Sequence, residues 1–179
     1  ENGGIVDRIE GPGALSGNPE AALRQALAGW MHEKKPDFIH LCGMAGARTG
    51  LREAPYVDCP ADAENWRRRA MAFEFDGVAT TIAPGVAYAA PDGRPDVMRG
   101  EETQIFGATR LAGDLRDGAH MIVLPGTHSK WVRLEGGRIT AFQTFVTGEL
   151  YALLGQSSLL AGKAASDRVA EDAGFQAGL

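Results

Sequence analysis

Two adjacent carboxylates, Glu101 and Glu102, follow Arg99 and Gly100 in the stretch VMRGEETQ. A carboxylate so placed can take the proton from a sugar hydroxyl as it attacks phosphorus, and a neighbouring arginine can pair with a substrate carboxylate. Acids in a first helical turn also complement the helix dipole, worth about 0.3–1 kcal/mol each, without any chemistry. A second stretch, LPGTHSKWV at 124–132, comes directly after the apolar run Met121, Ile122, Val123. A strand that stops at a Pro-Gly turn and then offers hydroxyls, N–H groups and a lysine suits an anion. Gly126, Thr127, His128, Ser129 and Lys130 are therefore candidate phosphate ligands, and an ordinary hairpin turn with a surface lysine is the competing reading. A serine hydrolase fits less well. In an extended segment the neighbours His128 and Ser129 point to opposite sides, and no third group to orient the histidine is visible. The third stretch, CGMAGARTG, lacks the GxGxxG and GxxxxGK[ST] patterns of nucleotide loops. It is either a substrate loop offering Gly46 and Arg48 or a structural turn.

Composition narrows what these groups could serve. With 179 residues, 44% of them apolar, the chain can bury a core, and a net charge of −5 gives no basic field for nucleic acid or an anionic membrane. An anionic ligand must then be held by local groups. Cys42 and Cys59 fit no zinc spacing and read as reduced core thiols, while His32, His40 and His120 stand isolated. No metal site is expected. No apolar run approaches the roughly 18 residues of a membrane span, and the sequence opens without a charged-then-apolar leader, so a cytoplasmic location is expected. Oligomeric state is not legible here.

The elements that must carry these stretches follow an α/β pattern. An Asn-Gly-Gly turn signal precedes an alternating strand over Ile5 to Glu10. Asn18 caps a helix that begins at Pro19, with Leu23, Ala26, Leu27, Trp30 and Met31 on one face and Lys34, Lys35 and Pro36 at its end. DFIHLCG reads as a buried strand entering the glycine turn, APYVDCP as a short second strand or extended piece, and DAENWRRRAMAFEF as a helix capped by Asp62. Arginines 67–69 on that helix read as a solvated face. GVATTIAPGVAYAAPDGRPDVMRG predicts a strand, a Pro-Gly turn and a polar loop. GEETQIFGATRLAG predicts a helix with Ile105, Ala108, Thr109 and Ala112 on one side. WVRLEGGRITAFQTF predicts two strands about a Gly-Gly turn, and TGELYALLGQSSLL a helix capped by Thr147 with Leu150, Leu153 and Leu154 as its stripe. Gly162 to Leu179 reads as a connector.

In this order, the glycine loop with EAPY, then VMRGEETQ, PGTHSKWV and TGEL, closely resemble the 2-dehydro-3-deoxygalactonokinase family, within the sugar kinase, heat-shock protein and actin-like ATPase superfamily. The resemblance runs from Ile5 to the final FQAGL. It implies a ribonuclease H-like α/β fold, a mixed sheet with flanking helices, truncated at both ends. Residues 1–117 would form the substrate-binding lobe, lacking its first strand, and residues 118–179 the start of the ATP-binding lobe. The implied reaction moves the γ-phosphate of Mg-ATP to the 6-hydroxyl of 2-dehydro-3-deoxy-D-galactonate. Glu101 would be the first choice of base and Glu102 the second. The GTHSK loop would face the phosphate, and Arg99 or Arg48 the substrate carboxylate. Ala47 stands where the family usually has serine and Leu51 where it has tryptophan. The Asp-x-Gly-Thr phosphate motif expected before ENGG and the adenosine-binding part expected after Leu179 are absent from these 179 residues, which alone should be inactive. A non-catalytic sugar-acid-binding regulatory module of the same fold is the alternative.

Overall fold

The computed structural model describes residues 4–11 and 17–157. The turn signal at the start and the expected connector from Gly162 lie outside them. Helix α1 (Pro19–Glu33) starts where Asn18 accepts hydrogen bonds from the Glu20 and Ala21 N–H groups at 3.0 and 3.1 Å. It buries Leu27, and Leu23, Trp30 and Met31 pack beside it. The core they join contains Ile39 of β1 (Ile39–Leu41) and Val78 and Ile82 of β4 (Val78–Ile82), two strands that pair in parallel. β3 (Met71–Phe75) pairs antiparallel with β4 across a turn at Asp76 and Gly77, both with positive φ, giving the order β1-β4-β3.

The expected helix over 62–75 is short. α2 spans only Ala63–Arg68, capped as predicted by Asp62, and the chain then becomes β3. Met71, Phe73 and Phe75 alternate with Ala72 and Glu74, a period of two that suits a strand with one buried face. Arg67 and Arg68 both pair with the exposed Glu64, a solvated face as read from the sequence.

A second sheet has the order β2-β5-β6, where β2 (Tyr56–Asp58) is parallel to β5 (Gly85–Ala89) and β6 (Pro95–Met98) is antiparallel to it. The polar loop expected before Arg99 is thus partly strand. β6 is an edge strand that begins at proline, where the missing N–H costs no ladder bond. Helix α3 (Glu101–Leu111) follows and buries Glu102, Ile105, Phe106 and Thr109. The third sheet, β7 (Ala119–Leu124), β8 (Ser129–Glu135) and β9 (Arg138–Phe145), turns at Gly136 and Gly137 as predicted. Its Val132, Leu134, Ile139 and Phe142 share one core with Val57, Val86, Met98, Ile105 and Phe106. Helix α4 (Gly148–Ser157) closes the described chain.

These elements cluster into two compact units. One holds the described residues up to Leu124 with Lys130–Thr144, and the other holds Pro125–Ser129 with the described residues from Phe145. The boundary expected at 117/118 refers to ligand duty and not to packing. Three local expectations are corrected. Residues 4–11 join no strand, and Ile5 and Val6 lie exposed, because no ladder partner stands beside them among the described residues. Cys42 is exposed and only Cys59 is partly buried, since β1 ends at Leu41 before the first of them. The Leu150, Leu153 and Leu154 stripe of α4 is also exposed among the described residues.

Candidate functional site

The turn from β6 into α3 is built on glycine. Gly100 sits at φ 113°, a conformation that side-chain-bearing residues rarely adopt, and a Cβ there would lie 3.3 Å from the Cα of Gly43. The two backbones meet because neither residue has a side chain. The glycine loop, a 3-10 turn over Gly43–Gly46, is thereby held against the start of α3.

Both acids fold back over this turn and accept from N–H groups just before the helix. Glu101 Oε2 accepts from the Arg99 N–H at 3.1 Å, and both Glu102 oxygens accept from the Gly100 N–H at 2.9 and 2.7 Å. Their surroundings differ. Glu102 is fully buried, takes a further hydrogen bond from the Thr103 hydroxyl at 3.2 Å, and faces inward with Ile105 and Phe106. Burial pushes its carboxyl up to about 7, with the charge of Glu101 adding to the effect and the hydrogen bonds from the backbone and Thr103 opposing it. Glu101 is half-buried, so of the two it is the carboxylate a substrate can reach.

Arg99 is braced by Tyr56 and Ala54. Its guanidinium lies 4.2 Å from the centre of the Tyr56 ring, Nη2 donates to the Ala54 carbonyl at 2.8 Å, and Nε donates to the Tyr56 hydroxyl at 3.3 Å. Nη1 is buried with no hydrogen-bond partner. Gly46 explains how it fits: a Cβ at that position would come 2.8 Å from Nη1, 2.9 Å from Ile82 and 3.0 Å from Ala54. Gly46, Arg99, Glu101 and Glu102 are therefore brought together, with Tyr56 as a partner the sequence reading missed. The motif EAPY was the available signal. Arg48 is exposed and forms no ion pair among the described residues. Beside Tyr56 opens a polar cleft of about 220 Å³, lined also by Val57, Asp58, Asn65 and Arg69. Arg69 differs from its two neighbours in having no bond to Glu64.

The Pro125–Ser129 loop is tied to the N-terminus of α4. Gly148 N–H donates to the Gly126 carbonyl at 3.2 Å and Glu149 N–H to the Thr127 carbonyl at 3.1 Å. His128 Nε2 meets Glu149 Oε2 at 2.6 Å, and the Ser129 hydroxyl bonds that of Thr147. His128 and Ser129 thus have separate partners, which leaves the hydrolase reading without its pair. Thr147 precedes α4 as expected, but its hydroxyl also donates to the Gly126 carbonyl at 3.3 Å. Lys130 belongs to the other unit. Its buried ammonium donates to the Val97 carbonyl at 2.7 Å and the Thr144 hydroxyl at 2.6 Å, so it is turned into the sheet.

The histidines read as isolated have ordinary partners: His40 shares a 2.9 Å hydrogen bond with the Thr81 hydroxyl, and His120 lies against the Asp114 and Asp117 carbonyls. Among the described residues no helix is long and apolar enough to cross a membrane.

The chain has relatives among known proteins. The family model described as 2-keto-3-deoxy-galactonokinase matches residues 5–179. The chain is 46% identical over 141 residues to the "Probable 2-dehydro-3-deoxygalactonokinase DgoK1" of Rhizobium meliloti (strain 1021), covering 78% of the chain and 43% of that protein. It is 36% identical over 162 residues to the 2-dehydro-3-deoxygalactonokinase of Escherichia coli (strain K12), covering 90% of the chain and 51% of that protein. A crystal structure of a Sinorhizobium meliloti protein assigned as a 2-dehydro-3-deoxygalactonokinase superposes with a TM-score of 0.73 at 39% identity, over 88% of this chain and 52% of the other. The chain spans about half the length of these relatives.

Proposed function

We propose, from the fact that this chain belongs to the 2-keto-3-deoxy-galactonokinase family, that it is part of a kinase moving the γ-phosphate of ATP to the 6-hydroxyl of 2-dehydro-3-deoxy-D-galactonate. The observation that carries the reading is the family match from residue 5 onward, which takes in both the Arg99–Glu102 turn and the 125–129 loop. In this reading the α/β architecture is a ribonuclease H-like fold. Residues 1–117 serve the sugar acid and residues 118–179 begin the ATP-binding part. The protein works in the cytoplasm on these small molecules. The named relatives are kinases by description and lend nothing to a non-catalytic regulatory module.

Phosphoryl transfer asks little covalent chemistry of a protein and much positioning and charge. Glu101 is the base, because it is the accessible member of the pair and because its bond to the Arg99 N–H fixes its direction. Glu102, enclosed and bonded to Gly100, holds the turn. Arg48, which is exposed, or Arg99, which is half-buried, meets the substrate carboxylate. Gly126, Thr127, His128 and Ser129 receive the phosphate through N–H groups, a hydroxyl and an imidazole. Lys130 steadies the strand behind them. That donor set suits phosphate oxygens rather than a bare cation. Magnesium would arrive on the nucleotide, a mode that uses phosphate oxygens and one or two carboxylates rather than an all-protein cage, and would neutralise charge on the transferred group.

The test is coupled ATP consumption by the complete protein with a panel of 2-dehydro-3-deoxy sugar acids. Turnover with the galactonate derivative supports the reading, and its absence with every member refutes it. Glu101→Gln should lose about 10²- to 10⁴-fold in kcat with little change in substrate binding, whereas Glu102→Gln should retain most of it. The reverse result would exchange the two roles.

A further inference from the structure

A buried polar cluster lies apart from these acids. Lys130, 6% exposed on β8, donates to the Val97 carbonyl and to the Thr144 hydroxyl on β9, and its Nζ stands 4.0 Å from Asp96 on β6. Thr144 in turn donates to Asp96 through its N–H at 2.7 Å and its hydroxyl at 2.6 Å, and Asp96 Oδ1 also accepts from the Val97 N–H at 2.8 Å. Every member has at least two partners. Such a network is a costly way to hold strands together, because apolar residues of similar volume often serve stability as well. What it adds is a fixed register between the strands that share it.

The register matters because of where the three residues stand in the chain. Asp96 is three residues before Arg99. Lys130 directly follows Ser129, and Thr144 is three residues before Thr147. Lys130 and Thr144 are also the residues at which the chain returns to and leaves the larger packing unit. We infer that the Lys130, Thr144 and Asp96 cluster is a positioning clamp, pinning to β6 both strand ends from which the 125–129 loop and α4 emerge, and holding β6 in the register that delivers Arg99 and Glu101. Lys130, offered by its sequence neighbourhood as a phosphate ligand, acts through Thr144 and Asp96 instead. This assignment rests on the kinase reading only for its effect on rate.

The experiment compares Thr144→Val, which keeps the shape and removes the hydroxyl, with Thr144→Ser, which restores it, both in the complete protein. Hydrogen exchange followed by mass spectrometry reads the clamp whether or not the protein turns over. Amides in 99–102 and 126–129 should exchange about tenfold faster in the valine variant and stay within about threefold of the parent in the serine variant. If the parent is an active kinase, the valine variant should also lose about tenfold in kcat while KM for ATP and sugar acid stays within about threefold. Unchanged exchange at both segments in a folded Thr144→Val protein overturns the clamp. So does a Lys130→Met protein that keeps kcat and loses about tenfold in KM for ATP, since that is the signature of a phosphate contact. Absence of turnover in the parent refutes the kinase reading alone, because the exchange result still decides the clamp.

Discussion

The enclosed carboxyl of Glu102 should leave a signature in how stability depends on pH. Its folded value stands at about 7 against an ordinary 4.5, a difference of about 2.5 units, which corresponds to about 3 kcal/mol at 1.36 kcal/mol per unit. Below pH 4.5 the group is protonated in both folded and unfolded chains and contributes no pH dependence. Between 4.5 and 7 the folded protein keeps a proton that the unfolded chain releases, so stability falls as pH rises. Above 7 both states are ionised, and the full loss has been incurred. Glu102→Gln carries no ionisable proton, yet its amide oxygen can still accept from the Gly100 N–H. Urea unfolding of parent and variant at pH 5 and pH 8 isolates the effect, because every other titrating group is common to both. The variant's stability relative to the parent should improve by about 2 to 3 kcal/mol on going from pH 5 to pH 8. A difference that stays the same at the two pH values would refute the argument that burial governs this carboxyl.

Two further outcomes can be checked directly. Gly46→Ala places a methyl 2.8 Å from Arg99 Nη1 and 2.9 Å from Ile82, so it should cost about 1–3 kcal/mol in denaturant unfolding and displace the guanidinium from the Tyr56 ring in a crystal structure. Under brief iodoacetamide treatment of the folded protein, peptide mass spectrometry should find Cys42 modified and Cys59 spared. The former is exposed, whereas burial and the neighbouring Asp58 push the Cys59 thiol up to about 12.

Local patterns read directly from the sequence did well wherever one rule governed. Asn18 with Pro19 placed the start of α1, and Gly136 with Gly137 placed the β8 to β9 turn, because caps and tight turns are decided by the residues that form them. β3 was missed because AMAFEF follows a good helix cap, and only the pairing of Phe73 with Thr80 and its neighbours makes the period of two decisive. The juxtaposition of Glu101, Glu102 and Arg99 was legible as adjacency along the chain. Which carboxylate is enclosed was not, since that depends on Ile105, Phe106 and the sheets beneath α3. Tyr56 under Arg99, and Gly46 beside it, are contacts across more than forty residues that no local pattern announces. The burial of Lys130 was hidden for a related reason. Its neighbours form a loop, but its own side chain alternates into the sheet.

The hydrogen bonds between the 125–129 loop and the start of α4 have a mechanical consequence. Gly126 and Thr127 carbonyls take the first N–H groups of the helix, and His128 and Ser129 grip Glu149 and Thr147, so four successive loop residues are fastened to a single turn. The loop is therefore the tip of a lever whose arm is α4, not a flap with its own hinge. A rotation of that arm by a few degrees would reach Thr127 undiminished, and a load placed on the tip would be felt along the arm.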